Sequence, residues 1–452
     1  PTSYATQYNL DPTVYYALIN PKLKQPYDQQ FAFVVEHEFK GAIIELRFIG
    51  DHATKLLRGF DLNQENITSN GFLSNFLLAQ NNGFLALQKN GIFNPAYNSS
   101  VAGSQPLPVF SHLTGDGELR DSQYDALIEN GEAGELAYQY TLNSQNGTLN
   151  FFPNANALSS VYLDNYSNSH YDSGQAEVRR RFSNGLSFQV NYVFSKWLSD
   201  GAGLDQSRYE PFEDINNTKL EESRTPTDLT NQFKANYSYA LPFGGAHTLR
   251  LRGGWDRLVQ GWSTSSILSW VSGSPISIDT QSPTAAGWGT FLREDNSAEN
   301  MADTTLTKGQ IDNLLGVRMT GDGPYFIAAS AIGPGGFGTA QAGSPPFSGQ
   351  VFSNPGAGTL GQLQRRMFDG PTVFSMDAAL LKDTKINERF TMQLRIEALN
   401  VFNHAAFAVF STEGTQFLSS NDNMAINSPL FGQITNMAVT PRRLQFGLRL
   451  RF

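Results

Sequence analysis

The sequence predicts an all-β fold, and within that class a membrane-spanning antiparallel β-barrel. Three observations carry the prediction. Apolar and polar residues alternate with period two over segments of about ten residues, the length a tilted strand needs to cross a bilayer. One face of those segments is aromatic and aliphatic while the other carries charge, the arrangement of a wall between lipid and a wet interior. The connections alternate between short turns and long insertions, which is the asymmetry of outer-membrane barrels.

The elements follow in chain order. Phe31, Phe33, Val35 and Phe39 alternate with Glu36 and Glu38, turn at Lys40-Gly41, and return through Ile44, Leu46 and Phe48 against Glu45 and Arg47. Ala176, Val178 and Phe182 alternate with Glu177, Arg179 and Arg181. Ser183-Asn184-Gly185 links them to Leu186, Phe188, Val190, Tyr192 and Phe194. Asn followed by Gly accepts positive φ and is the strongest short hairpin signal. Phe233, Ala235, Tyr237 and Tyr239 lead through a turn at 241–246 to a strand at 247–252, with a compact link near 254–260. Segments 262–271 and 276–279 flank a short turn, Ser272-Gly273-Ser274-Pro275. Phe374, Met376, Ala378 and Leu380 precede a turn at 383–388. Phe390, Met392, Leu394, Ile396 and Ala398 follow it, against Thr391, Gln393, Arg395 and Glu397. The last strand sets Leu444, Phe446, Leu448, Leu450 and Phe452 against Gln445, Arg449 and Arg451.

The long insertions are expected at about 50–172, 196–231, 280–372 and 400–442. In a soluble domain, loops of that length would count against the strand assignment. Helical spacing of apolar residues at 71–90, 121–140 and 305–320 predicts short helices in the outer loops. The Gly-rich stretch 332–349 predicts coil. The count comes to about eleven strands, against the even number of single-chain bacterial barrels. With the short turns on the periplasmic side, the chain begins on the outer side and ends on the periplasmic side. Residues 1–452 are therefore expected to form the C-terminal part of a barrel whose first strands are absent.

Composition agrees. Charged residues are 16% and aromatics 12%, with 33 Phe and 17 Tyr among the 452 residues. The polar character therefore comes from Asn, Gln, Ser, Thr and Gly. Runs of about 18 apolar residues, which a transmembrane helix would require, do not occur. The chain has no Cys, which excludes disulfides, thiolate metal sites and a Cys nucleophile. A net charge of −9 argues against nucleic-acid binding. The sequence contains no P-loop, Gly-x-Ser-x-Gly or His-Glu-x-x-His pattern, so neither an enzyme nor a cofactor is expected.

Several stretches together resemble the C-terminal barrel half of the TonB-dependent receptors abundant in Acidobacteria, some of them Oar-like or with a carboxypeptidase-regulatory-like N-terminal domain. They are Glu45-Leu46-Arg47-Phe48-Ile49-Gly50 with Thr54-Lys55-Leu56-Leu57-Arg58, and Tyr166-Ser167-Asn168-Ser169-His170-Tyr171-Asp172 with Val178-Arg179-Arg180-Arg181-Phe182. Asn191-Tyr192-Val193-Phe194-Ser195-Lys196, Tyr239-Ala240-Leu241-Pro242-Phe243-Gly244, Gly261-Trp262 and Ser272-Gly273-Ser274-Pro275 continue the series. Glu397-Ala398-Leu399-Asn400-Val401-Phe402-Asn403-His404 and Pro441-Arg442-Arg443-Leu444-Gln445-Phe446 complete it. The resemblance implies a barrel of about 22 strands, plugged by an N-terminal domain and importing a scarce solute with energy from TonB. It implies as partners the missing strands and plug, on the same or a separate chain, TonB acting through that plug, outer-membrane lipid and lipopolysaccharide, and an outer partner bound by the loops. It also implies that the terminal row Leu444, Phe446, Leu448, Leu450 and Phe452 is the barrel-assembly signal. The rival reading is a structural or adhesive outer-membrane component whose loops bind a protein or matrix.

Candidate residues follow from the pattern. Arg179, Arg181, Arg395, Glu397, Arg449 and Arg451 are expected to face the lumen. His37, between Glu36 and Glu38 but on the opposite face, and His404 are expected to be ordinary strand or rim histidines. Asp116, Glu118 and Asp121 only loosely match a calcium loop, since the EF-hand spacing fails. Glu210, Glu213, Asp214, Glu221 and Glu222 form either a solvated acidic surface or a cation or lipopolysaccharide-bridging patch. Trp255, Trp262, Trp270 and Tyr239 are placed either in an aromatic girdle at strand ends or in a core.

Overall fold

The structure, a computed structural model, describes residues 14–114, 119, 122–201, 212–243, 256–280, 300–409 and 423–452, apart from the side chain of Arg257. Nine strands run as an antiparallel meander: β2 (Tyr27–Phe39), β3 (Ala42–Asp61), β4 (Ser159–Ser183), β5 (Leu186–Ser199), β7 (Asn231–Ala240), β8 (Trp262–Val271), β15 (Val373–Lys385), β16 (Thr391–Leu399) and β19 (Arg443–Arg451). Each pairs with the next, from β2 at one edge to β19 at the other, and these two edges do not pair with each other.

The cross-strand register shows why the sequence alternates. Glu36, Glu45, Glu177, Asn191, Lys234, Ser269 and Ser375 stand side by side across seven strands. One residue along, Val35, Leu46, Ala176, Tyr192, Phe233, Trp270 and Phe374 form the matching row on the other face. A single-residue slip would exchange the two faces, so the pattern fixes the register. The apolar face is left bare: Phe33 is 68% exposed, Phe446 69% and Leu448 71%. Water does not tolerate so broad an apolar surface, whereas lipid does.

The hairpins obey local stereochemistry. Lys40 and Gly41 have φ of 50° and 76°, and Asn184 and Gly185 have φ of 52° and 80°. These are the left-handed positions that a two-residue hairpin demands.

Among the described residues eleven strands join one sheet, but they are not the eleven expected from the sequence. The nine above were foreseen. The other two are short: β1 (Tyr15–Ile19) pairs in parallel with the start of β4, and β6 (Ser223–Arg224) pairs with the end of β5. The segment expected as a strand at 276–279 leaves the sheet. Instead β9 (Pro275–Ile276) pairs with β14 (Phe368–Asp369) in a separate outer ribbon, as β10 (Asp303–Thr304) does with β13 (Phe352–Ser353) and β17 (Phe407–Ala408) with β18 (Asn436–Met437). Residues 272–275 are therefore an outward exit and not a short turn. The expected strand at 247–252 lies outside the described residues, and β7 pairs directly with β8. The turn after β15 covers 386–390, since that strand continues to Lys385.

Two strands outrun the expectation. β3 has 20 residues and β4 has 25, roughly twice what a crossing needs. Their outer halves mix Thr54, Lys55, Ser167 and Ser169 among apolar residues, so alternation fades where lipid no longer imposes it, while the backbone ladder continues to Asp61.

Burial is concentrated in the long connections. Helices Phe72–Asn90, Ser122–Asn130 and Ala133–Leu142 enclose Phe72, Phe76, Leu136, Tyr140 and Phe151. The helix expected over 121–140 is broken into two by Gly131, at φ 83°. A second core gathers Ile278, Phe326, Ile327, Phe352, Phe368 and Phe431. The helix expected over 305–320 holds only for Lys308–Leu314. Its second half is β11 (Leu315–Thr320), which forms a hairpin with β12 (Gly323–Ile327). The β-branched and Gly residues Gly316, Val317 and Thr320 favour that outcome. The Gly-rich 332–349 is mostly coil, as expected, with a short 3-10 turn at Pro334–Gly336.

Candidate functional site on the outer side

The outer end of the sheet carries a buried ionic cluster. β3 carries Arg58 to the outer end of the sheet, opposite Asp164 of β4. Its guanidinium lies 4.2 Å from the ring centre of Phe212, and Phe212 also packs against Phe60 and Tyr166 at 4.7 and 4.8 Å. Arg58 donates to the backbone carbonyl of Asp200 and, at 2.7 Å, to Oε2 of Glu221. The side chains of Arg58 and Glu221 are each 1% exposed. Arg365, from the connection before β15, reaches the same Oε2 at 3.3 Å and Glu213 at 2.5 Å. The other oxygen of Glu221 accepts the backbone N–H of Glu213 at 2.6 Å.

Burial raises the pKa of the Glu221 carboxyl, but the Arg365 and Arg58 guanidiniums and its hydrogen bonds outweigh that and hold it below the usual carboxylate range. The carboxyl of Asp200, by contrast, is pushed up by burial, against hydrogen bonds from Asn168 and the charge of Arg58. The cluster thus ties the outer end of β3 to two separate loops through paired charges.

Further polar contacts extend the seam. Asp61 accepts from Ser159 Oγ at 2.5 Å and from the backbone N–H of Ser160 at 2.8 Å. Gln64 donates to the carbonyl of Phe212 and accepts the N–H of Ile215, both at 2.7 Å. Arg224 donates to Asp228 and to Asp369, each at 2.6 Å. Beside this seam lies a cleft of about 260 Å³, lined by residues that include Gln64, Glu65, Asn66, Glu213, Asp214 and Asn216. Carboxylates and amides dominate its wall, a lining suited to a small polar solute.

The acidic group expected as an open surface or a cation patch divides accordingly. Glu213 and Glu221 are internal ion-pair partners. Asp214 accepts the N–H of Asn216 at 2.8 Å, and Glu222 is exposed. Glu210 lies outside the described residues. Arg58 and Arg365 were not singled out from the sequence. Arg58 is 163 residues from its partner, and its one sequence signal was membership of the stretch Thr54-Lys55-Leu56-Leu57-Arg58.

Of the six charged residues expected on one face, Arg179, Arg395, Glu397, Arg449 and Arg451 lie on one face of the ladder, in two groups. Arg179 pairs with Glu36 at 2.8 Å, Glu177 at 3.3 Å and Glu45 at 3.4 Å, and Arg47 pairs with Glu45 at 2.6 Å and Glu177 at 3.0 Å. Arg181 lies exposed near the end of β4. At the other edge, Arg395 contacts Glu397, Arg451 donates to Gln393 at 3.3 Å, and Arg449 stands opposite Gln393. Leu444, Phe446, Leu448 and Leu450 pair with Ala398, Ile396, Leu394 and Met392 on the opposite face.

His37 stands on the apolar face, away from Glu36 and Glu38. His404 packs edge-on against Phe374 at 5.7 Å. No cluster of three or more His, Asp or Glu side chains suited to a metal occurs among the described residues. Trp262 and Tyr239 lie at the short-turn end of the apolar face and Trp270 at the far end of its strand. Trp255 and the trio Asp116, Glu118 and Asp121 lie outside the described residues.

Among curated proteins no sequence matches. Solved structures align over most of this chain. The outer membrane transporter YddB from Escherichia coli aligns with TM-score 0.37 and 8% identity over 96% of this chain and 34% of its own. The complex of FpvAI with pyocin S2 aligns at 0.29 and 7%, over 94% and 26%, and the copper transporter OprC at 0.28 and 7%, over 95% and 32%. This chain spans about a third of the length of the first of these structures. A family model described as an outer membrane beta barrel domain matches residues 1–445. Nearly the whole sequence is covered by that match, so the chain belongs to the outer membrane beta barrel domain family and is a protein of the bacterial outer membrane.

Proposed function

We propose that the chain is the barrel portion of a TonB-dependent receptor and imports a scarce solute that its outer loops first bind. The observation that carries this reading is the folded outer side. Two loop cores are packed there, Arg58 of β3 is tied to two separate loops through Glu221 and Arg365, and a polar cleft lies beside that ionic cluster. A barrel serving only as a membrane anchor has no need of so much buried apolar and ionic structure in its connections. The sequence stretches that resemble such receptors, and the charged face of the sheet, agree with it.

In this reading Arg179, Arg181, Arg395, Glu397, Arg449 and Arg451 line the lumen. The remaining strands and a plug, on the same chain or another, complete the barrel between β2 and β19, and TonB acts through the plug. The two groups of lumen charges would then face different sides of the plug.

The test is uptake by cells expressing the complete gene, with and without a functional TonB. Candidate solutes are screened as growth-limiting nutrients. Growth that requires both the gene and TonB supports the reading. Growth indifferent to TonB, with loss of attachment to a protein or matrix on deletion, supports the adhesive alternative.

A further inference from the structure

The apolar face of the sheet carries a cation with no partner among the described residues. Arg180 stands on that face, in a row across five strands, between Ala42 and Phe188, with Phe39 and Tyr237 beyond them. It is half-buried, its Nε is covered, and that atom has no hydrogen-bond partner. No carboxylate pairs with it, and the next row along the same face is His37, Ile44, Val178 and Val190. Its neighbour Arg179 points to the other face and has three carboxylates. Lys40, in the adjoining hairpin turn, is in no ion pair among the described residues, and its Nζ lies 5.1 Å from the ring centre of Phe39.

Position explains how such a charge can be tolerated. Arg180 is three residues from the end of β4 at Ser183, within about 10 Å of the turn. A cation on the lipid face is most costly at the bilayer midplane and nearly free of cost at the interface. At that depth a long side chain lays its stem along apolar neighbours and carries its head to the polar layer. This end carries the short turns, which face the periplasm, where the leaflet is phospholipid. An Arg fork suits phosphate oxygens, and a Lys adds a point charge.

We propose that Arg180 and Lys40 form a binding site for the phosphate headgroup of an anionic phospholipid in the periplasmic leaflet, with Phe39 and Phe188 flanking the acyl chain where it meets the headgroup. The site rests on the membrane orientation of the sheet and is independent of the solute and of TonB.

The experiment is native mass spectrometry of the complete protein, purified from outer membranes in detergent and titrated with phosphatidylglycerol, phosphatidylcholine, lipopolysaccharide or inorganic phosphate. Wild type retains phosphatidylglycerol in preference to the other three. Arg180→Gln and Lys40→Gln each weaken that retention about fivefold, and Arg180→Lys restores most of it. Heat-modifiable migration on gels verifies that each variant is folded. Retention by folded Arg180→Gln equal to wild type overturns the proposal. So does wild-type preference for phosphatidylcholine, lipopolysaccharide or free phosphate, which requires no variant.

Discussion

Arg58 and Glu221 lie 163 residues apart in sequence and 2.7 Å apart in space, each with a side chain 1% exposed. A buried pair of this kind is costly to break from one side, because the survivor keeps its charge without compensation. Glu221→Ala removes the carboxylate that Arg58 and Arg365 share, while Arg365 keeps Glu213. The expected cost is about 3–5 kcal/mol of loop stability. Proteolysis should show the loop 200–230 and the segment before β15 cut readily, while the strands stay protected and heat-modifiable. Equal protease resistance in wild type and variant would contradict the role given to the pair.

The same carboxyl sets a pH dependence. Its folded pKa lies below the ordinary value of 4.5. A depressed carboxylate contributes stability that is complete above its ordinary pKa and is lost as pH falls through the folded one. Protection of the outer loops is therefore expected to hold from neutrality down to the ordinary carboxylate range and to decline only below it. Asp200 acts with the opposite sign. Its raised pKa means that ionisation costs stability at neutral pH and that protonation on acidification relieves it. Asp200→Asn should therefore leave protection at neutral pH intact or improve it, since the carbonyl that Arg58 uses belongs to the backbone. Limited proteolysis across a pH series measures both effects.

Much of the sheet was legible because lipid forces a strict alternation. Val35 and Glu36, or Leu46 and Glu45, can be assigned to faces from sequence alone, and the register confirms them. Legibility ended where that force ended. The outer halves of β3 and β4 have no lipid to face, so His52 and His170, 4.9 Å apart across the ladder, gave no periodic signal. The ionic seam was illegible for a different reason. Arg58 comes from β3 and Glu221 and Arg365 from two separate connections, and nothing local in any of the three announces the other two. Segment 276–279 misled because Ile276 and Ile278 alternate like strand residues, yet they serve the second loop core.

The apolar face also contains a close fit that a single methyl group would disturb. Phe31 stands directly opposite Gly50, and a Cβ added to Gly50 would run into three carbons of the Phe31 ring. The ring covers the bare glycine backbone, as aromatic residues do at edge glycines of sheets. Gly50→Ala is expected to cost about 1–3 kcal/mol through the displaced ring. Adding Phe31→Leu to Gly50→Ala should recover part of that loss, giving a non-additive double-mutant cycle. The midpoint temperature of the heat-modifiable gel shift reads it. Strict additivity would show that the ring does not rest on the glycine.

The final strand separates assembly from stability. Leu444, Phe446, Leu448 and Leu450 pair with β16 on one edge, while the other edge of β19 pairs with no described strand. Phe452 lies beyond the last ladder pair and is 95% exposed. Its side chain packs on none of the described strands, and Phe452→Ala is expected to shift the unfolding midpoint only slightly. If the terminal row is instead read by the barrel-assembly machinery, the same substitution should sharply reduce the fraction that reaches the outer membrane. Leu448→Ala, which removes an apolar side chain from within the ladder, should lower both quantities. Phe452→Ala that inserts as well as wild type would leave β19 as an ordinary amphipathic strand. A variant that inserts poorly but melts normally once purified would assign Phe452 to assembly alone.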